Sequence, residues 1–211
     1  MGHLSPTVLI GLPLAAYLLG SIPCGLVLTR LFTSVDIRRQ GSGNIGATNV
    51  RRLAGTPLGL LTLAGDVLKG AVPVYLAMQV DGLDPTARAY LVSIVALAAF
   101  AGHLFPLYLK LEGGGKGVAT AAGSFLAISP VSVLAALIAF LGITAWSRRV
   151  SAGSLAAATV LPVAVAWRLE SPVFFACALV MAVLIVWRHK ENIRRLLNGT
   201  EPTVSEKKNR R

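Results

Sequence analysis

Two glycine-rich, basic segments contain most of the residue types in this sequence that could do chemistry. The first is Gly41-Ser-Gly-Asn-Ile-Gly-Ala-Thr-Asn49, which Arg51 and Arg52 follow. Small residues let backbone N–H groups approach an anion closely, and hydroxyl, amide and guanidinium groups can donate hydrogen bonds to it. The segment therefore predicts a phosphate site, with an ordinary flexible loop as the alternative. The candidate ligands are Gly41, Ser42, Gly43, Asn44, Thr48 and Arg52.

The first segment also matches G-x-G-x-x-G in form, but its context excludes a dinucleotide site. That fingerprint must follow a strand within a βαβ unit, whereas here an apolar helical stretch and Asp36-Ile-Arg38 precede it. We therefore keep the anion-binding interpretation and expect no nucleotide cofactor.

The second segment is Gly113-Gly-Gly-Lys-Gly117, at the start of a predicted helix. It is not a P-loop, because Gly117 follows the lysine where Ser or Thr is required. A helix N-terminus and an ammonium group still favour an anion. Gly114, Gly115 and Lys116 are therefore candidate phosphate ligands, with an interfacial turn and a topology-determining lysine as the alternative.

A third polar cluster, 188–195, follows the last apolar segment. If the helix continues, Arg188, Asn192 and Arg195 share one face, with His189 beside Asn192. Alone, this pattern is typical of a basic anchor next to a membrane. It becomes a candidate site only together with the two glycine segments.

Asp66, Lys69 and His103 are ionisable residues within or near the ends of apolar segments. Asp66 and Lys69 are three residues apart, on one face of a predicted span. Such residues are costly in a membrane and are usually paired or functional, so a structural ion pair and a substrate contact are both open. His103 lies near a span end, where a hydrogen bond to backbone is the simpler alternative. Cys24 and Cys177 lack metal-ligand spacing and are interpreted as packing residues.

The elements that must position these residues are membrane helices. Of the 211 residues, 55% are hydrophobic and only 14% are charged, which is more apolar surface than a soluble core of this size could bury. We predict an all-α integral membrane protein with seven transmembrane segments. Their ranges are 4–32, 57–80, 88–109, 118–129, 131–146, 152–167 and 172–187. The segment 118–129 is short, and is either re-entrant or one arm of a helix broken at Pro130.

The distribution of Lys and Arg predicts the orientation. With the N-terminus outside, 17 of the 20 basic residues fall in inner segments, whereas Arg88 and Arg168 fall outside and Lys69 within a span. The sequence thus predicts one transmembrane domain, 1–187, with cytoplasmic substrate loops at 33–56 and 110–117. A basic cytoplasmic tail, 188–211, follows and should contact anionic lipid. The placement of charge between apolar segments argues against nucleic acid as a partner.

Several other chemistries are excluded by pattern. The sequence has no G-x-S-x-G elbow, no H-E-x-x-H, and no cysteine pair that suggests a metal. The H-x-x-x-x-D acyltransferase pattern is absent, since Val8, Tyr108 and Arg194 stand where Asp is required. The CDP-alcohol transferase pattern D-G-x-x-A-R begins at Asp81-Gly82 but then meets Pro85-Thr86.

Taken together, the polar motifs resemble those of the bacterial acyl-phosphate-dependent glycerol-3-phosphate acyltransferases, in order and spacing, over nearly the whole chain. One departure is Glu112-Gly113, where family members often carry an aromatic and a basic residue. The matching stretches are Gly20-Ser-Ile-Pro23, Asp36-Ile-Arg38, Gly41-Ser-Gly-Asn-Ile-Gly-Ala-Thr-Asn49, Arg52, Gly65-Asp66, Lys69-Gly70, Gly102-His103, Phe105-Pro106, Gly114-Gly-Lys-Gly-Val-Ala-Thr120, Ser154-Leu155, Arg188-His189, Asn192-Ile193, Arg195, Gly199 and Glu201.

The resemblance implies a seven-helix enzyme of the bacterial inner membrane with a cytoplasmic active site and no cofactor or metal. It would transfer an acyl group from acyl phosphate to the sn-1 hydroxyl of glycerol 3-phosphate, with membrane lipid and an upstream enzyme that forms acyl phosphate as further partners. Catalytic roles would fall to Ser42, Arg52, Lys116 and His189, and substrate-binding roles to Gly41, Gly43, Asn44, Thr48, Gly114, Gly115, Ser154, Asn192 and Arg195. The alternative is a small transporter of phosphorylated metabolites, which should show an internal repeat or paired broken helices, with a midplane site.

Overall fold

The computed structural model describes residues 6–204, and the side chains of residues 8–204. Outside this range lie the predicted start of the first span at residue 4, the histidine His3, and four basic residues of the tail: Lys207, Lys208, Arg210 and Arg211. Within it, the chain forms ten α-helices and one short 3-10 turn at Leu107–Leu109. The helices are α1 Pro6–Gly20, α2 Cys24–Phe32, α3 Ala47–Ala54, α4 Thr56–Met78, α5 Pro85–Leu104, α6 Val118–Ile128, α7 Pro130–Ser147, α8 Val150–Leu169, α9 Pro172–Arg188 and α10 Lys190–Leu197.

Four helices are long and apolar enough to cross a bilayer: α4, α5, α7 and α8. Two bent pairs, α1 with α2 and α9 with α10, raise the number of candidate spans among the described residues to six if each pair counts as one. The helix α6, with 11 residues, is about 16 Å long, which is shorter than a hydrocarbon core of about 30 Å. The all-helical prediction is confirmed for residues 6–204.

The chain divides into two compact units, of which the first ends at Ile128 and the second begins at Ser129. In the first unit, α4 packs against α6, α5, α3 and both arms of the first bent pair, and α1 also packs along α5. Close approach is possible because the contacts use glycine. A Cβ at Gly123 would overlap the Val67 carbonyl, and one at Gly20 would overlap the Ala99 carbonyl. In the second unit, α8 packs between α7 and α9.

The first predicted span is broken rather than continuous. The helix α1 ends at Gly20, α2 starts at Cys24, and the two are inclined by 41°. Pro23 precedes α2 and has no N–H to continue the helical ladder. The break leaves the carbonyl of Ile22 to accept a hydrogen bond from the Lys69 ammonium, at 3.0 Å.

The last apolar helix does not continue through residue 195, so the condition for a face shared by Arg188, Asn192 and Arg195 is not met. The helix α9 ends at Arg188, α10 begins at Lys190, and their axes differ by 59°. His189 lies at the bend with φ −96° and ψ 7°, and its N–H is shared between the carbonyls of Ile185 and Val186. Arg188 therefore does not continue the helical face that carries Asn192 and Arg195.

Candidate active site

The first glycine-rich segment is a loop that one buried side chain organises. Asn49 is 2% exposed. Its Oδ1 accepts a hydrogen bond from the Ser42 N–H at 3.0 Å, and its Nδ2 lies within hydrogen-bond distance of the carbonyls of Ile37, Gln40 and Asn44 at 3.1, 3.3 and 2.9 Å. Asn49 stood in the predicted motif but was not selected as a site residue. Its only sequence signal is an amide at the end of a glycine-rich run.

The loop has the conformation that its glycines predict. Gly41 and Gly43 have φ of +65° and +68°, the left-handed region that side chains other than glycine disfavour. The Asn44 Oδ1 accepts from the Gly46 N–H at 2.9 Å, which closes a local turn. The chain then enters α3, so Thr48 and Arg52 lie on a helix and not in a loop. Gly41, Ser42 and Gly43 are exposed, whereas Asn44, Thr48 and Arg52 are half-buried.

A small apolar core holds this loop against α2. Ile37 and Ile45 from the loop pack with Leu26 from α2 and Val50 from α3, and all four are at most 3% exposed. The loop therefore has a fixed inner side and an outer side that presents Ser42 and the two glycines.

A buried ionic cluster lies deeper in the first unit. Asp66 and Lys69 of α4 and His103 of α5 are each 4% exposed. The Lys69 Nζ lies 2.8 Å from the Asp66 Oδ1, and the His103 Nδ1 lies 3.6 Å from the same oxygen. The ion pair that was one of the two alternatives for Asp66 and Lys69 is therefore formed.

The second glycine-rich segment rests on the end of α5. The Gly115 N–H donates to the carbonyl of His103 at 3.1 Å. A Cβ at Gly114 would overlap the carbonyl of Leu104, and one at Gly115 would overlap the His103 ring. Gly114 and Gly115 are buried, while Lys116 is half-buried and precedes the first turn of α6. The glycines allow the segment to lie directly on α5.

The remaining candidates belong to the second unit. Ser154, on α8, is 6% exposed, and His189, at the bend after α9, is 2% exposed. The His189 Nδ1 lies 2.8 Å from the carbonyl of Ile185. Because a carbonyl can only accept, Nδ1 carries the proton, and in the neutral ring Nε2 is then the basic nitrogen.

Asn192 and Arg195 converge on a carboxylate that was not among the predicted site residues. The Asn192 Nδ2 donates to the Glu201 Oε1 at 2.6 Å, and the Arg195 Nε donates to the Glu201 Oε2 at 2.7 Å. Glu201 stood only in the family motif, nine residues from Asn192. Its backbone carbonyl accepts from the Arg149 Nε at 3.2 Å. We call these four residues, Arg149, Asn192, Arg195 and Glu201, the C-terminal cluster.

The C-terminal cluster favours an ionised Glu201. Burial would raise the pKa of this carboxyl. The neighbouring Ser151 hydroxyl, the Asn192 amide and the Arg195 guanidinium together hold the pKa below its ordinary value. Asn192 and Arg195 are therefore held in place by a fixed negative charge.

The chain is similar in sequence to members of a single protein family. A protein-family model described as glycerol-3-phosphate acyltransferase matches residues 10–199. The chain is 51% identical to the glycerol-3-phosphate acyltransferase of Syntrophotalea carbinolica, across 89% of this chain and 93% of that protein. It is also 51% identical to that of Geobacter sulfurreducens, across 88% and 92%.

The fold is similar to solved structures of PlsY, an integral membrane glycerol 3-phosphate acyltransferase. Its glycerol 3-phosphate form superposes with a TM-score of 0.86 and 39% identity, and its lysophosphatidic acid form with 0.84 and 38%. Each match covers 92% of this chain and 94% of PlsY. The chain therefore belongs to the glycerol-3-phosphate acyltransferase family of integral membrane proteins.

Proposed function

We propose that this protein transfers a fatty acyl group to the sn-1 hydroxyl of glycerol 3-phosphate and yields lysophosphatidate, in phospholipid synthesis. The observation that carries the proposal is the pair of PlsY structures matched over nearly the full chain. One is the form with glycerol 3-phosphate and the other is the form with lysophosphatidic acid. The second ligand is the acylated form of the first, so the two represent the acceptor and the product of one acyl transfer.

The proposed donor is acyl phosphate. In the reaction, the sn-1 hydroxyl oxygen attacks the acyl carbonyl, the bond between that carbon and the phosphate oxygen breaks, and inorganic phosphate leaves. Because the mixed anhydride is already activated, no covalent enzyme intermediate is needed. Positioning of the two substrates and neutralisation of their phosphates then provide most of the rate enhancement.

The proposed residue roles follow from this chemistry. Phosphate groups are held by the side chains of Ser42, Asn44, Arg52 and Lys116, with Thr48 assisting. The glycines Gly41, Gly43, Gly114 and Gly115 let the backbone approach a phosphate closely. The N–H groups of Gly43 and Gly115 are not donors to it, because they already donate to the carbonyls of Gln40 and His103. Ser154 assists, while His189 and Asn192 orient glycerol 3-phosphate and Arg195 adds positive charge. The exposed Ser42 and the half-buried Lys116 support these assignments, because neither side chain is fully enclosed by protein.

The proton of the attacking hydroxyl passes to His189 or to a phosphate oxygen of the substrate. The Nδ1 contact with Ile185 at 2.8 Å supports His189, since it leaves Nε2 as the basic nitrogen. The variant His189→Ala separates the two routes. If it retains most turnover at saturating substrates, the phosphate oxygen is the acceptor. A fall of about 100-fold or more in kcat assigns the base to His189.

The proposed topology is about seven spans in the bacterial inner membrane, with the N-terminus outside. The segment 118–129, whose helix α6 is shorter than the hydrocarbon core, is counted among them as a re-entrant piece or as one arm of a helix broken at Pro130. Residues 1–187 form the membrane domain, 33–56 and 110–117 face the cytoplasm, and 188–211 form the cytoplasmic tail. The distribution of Lys and Arg supports this orientation. Single cysteines in a Cys24→Ser, Cys177→Ser background, placed at Asp81 and Asp36, test it with an impermeant thiol reagent on whole cells. Only the cysteine at position 81 should react.

The decisive experiment is an assay of the purified protein in lipid vesicles with palmitoyl phosphate and glycerol 3-phosphate. We expect release of phosphate that depends on glycerol 3-phosphate, with one lysophosphatidate formed per phosphate. Parallel reactions with palmitoyl-coenzyme A and palmitoyl-acyl carrier protein test the donor. If lysophosphatidate forms only from one of these, the donor assignment is wrong. If it forms from none of the three, the enzyme assignment is wrong.

A further inference from the structure

The buried ionic cluster of the first unit consists of Asp66, Lys69 and His103. It adjoins the segment 113–117, which contains Lys116, through the contact between His103 and Gly115. Asp66 is held on one side by the Lys69 ammonium at 2.8 Å, and that ammonium also donates to the Ile22 carbonyl at 3.0 Å. The carboxylate is therefore fixed against both α4 and the break in the first span. The buried Lys69 ammonium is held rigidly by these two partners. Any other position would leave a buried charge without a partner, which is strongly unfavourable.

His103 connects this carboxylate with the glycine-rich segment. Its Nδ1 faces the Asp66 Oδ1 at 3.6 Å, while the Nε2 edge of the same ring is the nearest group to a Cβ built on Gly115. Its backbone carbonyl accepts from the Gly115 N–H at 3.1 Å. The imidazole thus lies between Asp66 and the backbone that immediately precedes Lys116.

Two adjacent glycines meet different parts of α5. At Gly115, the three atoms nearest to a built Cβ all belong to the His103 ring, whereas at Gly114 they are backbone atoms of His103 and Leu104. Truncation of the imidazole would therefore make room at position 115 but not at position 114. The ring specifies how closely the segment approaches α5 at the residue next to Lys116.

We propose that Asp66 and His103 are positioning residues for acyl transfer, which orient Lys116 toward a substrate phosphate through the backbone of Gly115. This inference rests on the proposed function, since it gives Lys116 a phosphate to bind. Asp66 sets the ring orientation of His103, and His103 sets the distance between the Gly114–Gly115 backbone and α5. Neither residue contacts substrate. The contact between the imidazole and Gly115 transmits their effect.

A double-mutant cycle between His103 and Gly115 tests the contact. In the wild-type background, Gly115→Ala should lower kcat/KM about 100-fold, because the methyl group collides with the ring and displaces Lys116 by about 1 Å. In the His103→Ala background, the same substitution should cost about threefold or less, because the ring is gone. Gly114→Ala is the matched control. It should lower kcat/KM by the same factor in both backgrounds, because its obstacle is backbone.

A second cycle distinguishes positioning of Lys116 from general support of the fold. Alone, His103→Ala should lower kcat/KM about tenfold, whereas in a Lys116→Ala background it should change kcat/KM by about twofold or less. Thermal unfolding midpoints of all variants are measured in parallel. A purely structural role would lower kcat/KM and the midpoint together in both backgrounds.

The outcomes separate this inference from the proposed function. If the wild-type protein forms no lysophosphatidate, the proposed function fails. If the wild-type protein is active but Gly115→Ala costs the same factor with and without the His103 ring, the positioning role is wrong. It is also wrong if His103→Ala retains its full tenfold effect when Lys116 is absent.

Discussion

The two units each place an acidic side chain at the centre of a polar cluster, but in different surroundings. In the first unit, Asp66 lies in the middle of α4, and its partners are Lys69 on the same helix and His103 on α5. In the second unit, Glu201 follows the last helix, and its partners are Asn192 and Arg195 on α10. Arg195 remains 38% exposed, whereas the side chains of Asp66 and Lys69 are at most 5% exposed.

This difference in burial predicts that the two clusters contribute differently to the free energy of unfolding. A charge within a membrane helix has no water to replace a lost partner, so its ion pair must form inside the protein. A carboxylate after the last helix, paired with a partly exposed arginine, can exchange its partners for water at modest cost. Stability should therefore depend strongly on the first cluster. The C-terminal cluster should have a smaller effect, and one that varies with pH.

The largest effect is expected when one member of the Asp66–Lys69 pair is removed. Asp66→Asn leaves the Lys69 ammonium buried without its counter-ion, and should destabilise the protein by about 3–5 kcal/mol. The double variant Asp66→Asn, Lys69→Met removes both charges and should recover more than half of that loss. Thermal or denaturant unfolding of the protein in detergent measures both.

The chain offers a matched control for this pair. Asp36 and Arg39 have the same three-residue separation, with a 3.5 Å contact, but their side chains are 49% and 87% exposed. Asp36→Asn should therefore change stability by about 1 kcal/mol or less. Equal losses in Asp66→Asn and Asp36→Asn would contradict the energetic role of burial.

The second largest effect concerns Asn49, whose carboxamide contacts four backbone groups of residues 37–44. Asn49→Ala leaves the buried carbonyl of Ile37 without this donor, and should cost about 2–3 kcal/mol. It should also lower kcat/KM, because Ser42 loses its backbone anchor. Gln40→Ala, at an exposed position of the same loop, is the control and should leave both quantities nearly unchanged. If Asn49→Ala behaves like Gln40→Ala, Asn49 does not organise the loop.

A smaller effect, dependent on pH, is expected for Glu201→Gln. Near neutral pH it should cost about 1–2 kcal/mol, since the charged hydrogen bond to the partly exposed Arg195 is weakened. The pKa of Glu201 is lowered in the folded protein. Its stabilisation is therefore complete above the unfolded pKa of about 4.3 and is lost as the pH falls through the lower folded value.

The pH dependence can be measured as a difference between unfolding midpoints. The wild-type protein should exceed Glu201→Gln by a constant amount from about pH 7 to pH 5, and the difference should shrink below about pH 4. Subtraction removes the contributions of the other carboxylates, which the two proteins share. A difference that stays constant down to pH 3 would contradict an ionised, paired Glu201.

The sequence was sufficient to predict the long apolar helices and the left-handed glycines of the first glycine-rich segment, because these depend on local pattern. Runs of apolar residues predict spans, and glycines beside Ser42 or Lys116 predict a backbone that an anion can approach closely. The supporting contacts are not local. Asn49 is one amide among several polar residues, and its role follows from a hydrogen bond to Ile37, twelve residues away. The contact between His103 and Gly115 depends on how closely two segments approach, which hydropathy does not encode.

The helix breaks were missed for a related reason. A helix interrupted at Pro23 keeps the hydropathy of a continuous span, and the bend at His189 leaves the basic pattern of 188–195 unchanged. The structure shows them as changes in helix direction of 41° and 59°, and at each break a side chain bonds to a backbone carbonyl. The carbonyl of Ile22 bonds to Lys69, and that of Ile185 bonds to the His189 ring.

The smallest effect is expected at Arg149, which ties the C-terminal segment to the start of α8. Its Nε and Nη2 donate to the carbonyls of Glu201 and Gly199, both at 3.2 Å. Arg149→Lys keeps the charge but replaces a planar group with a single ammonium, so one of the two bonds is lost. The expected cost is about 0.5–1 kcal/mol.

The neighbouring Arg148→Lys provides the control for Arg149→Lys. The Arg148 side chain is exposed, and its backbone carbonyl, which the substitution leaves in place, accepts from the Val204 N–H at 2.8 Å. If Arg149 acts through Glu201, Arg149→Lys should destabilise the wild-type protein but have little further effect in Glu201→Ala, where the tethered carboxylate is absent. Full additivity of the two changes would mean that Arg149 anchors the backbone of the segment without influencing how Glu201 holds Asn192 and Arg195.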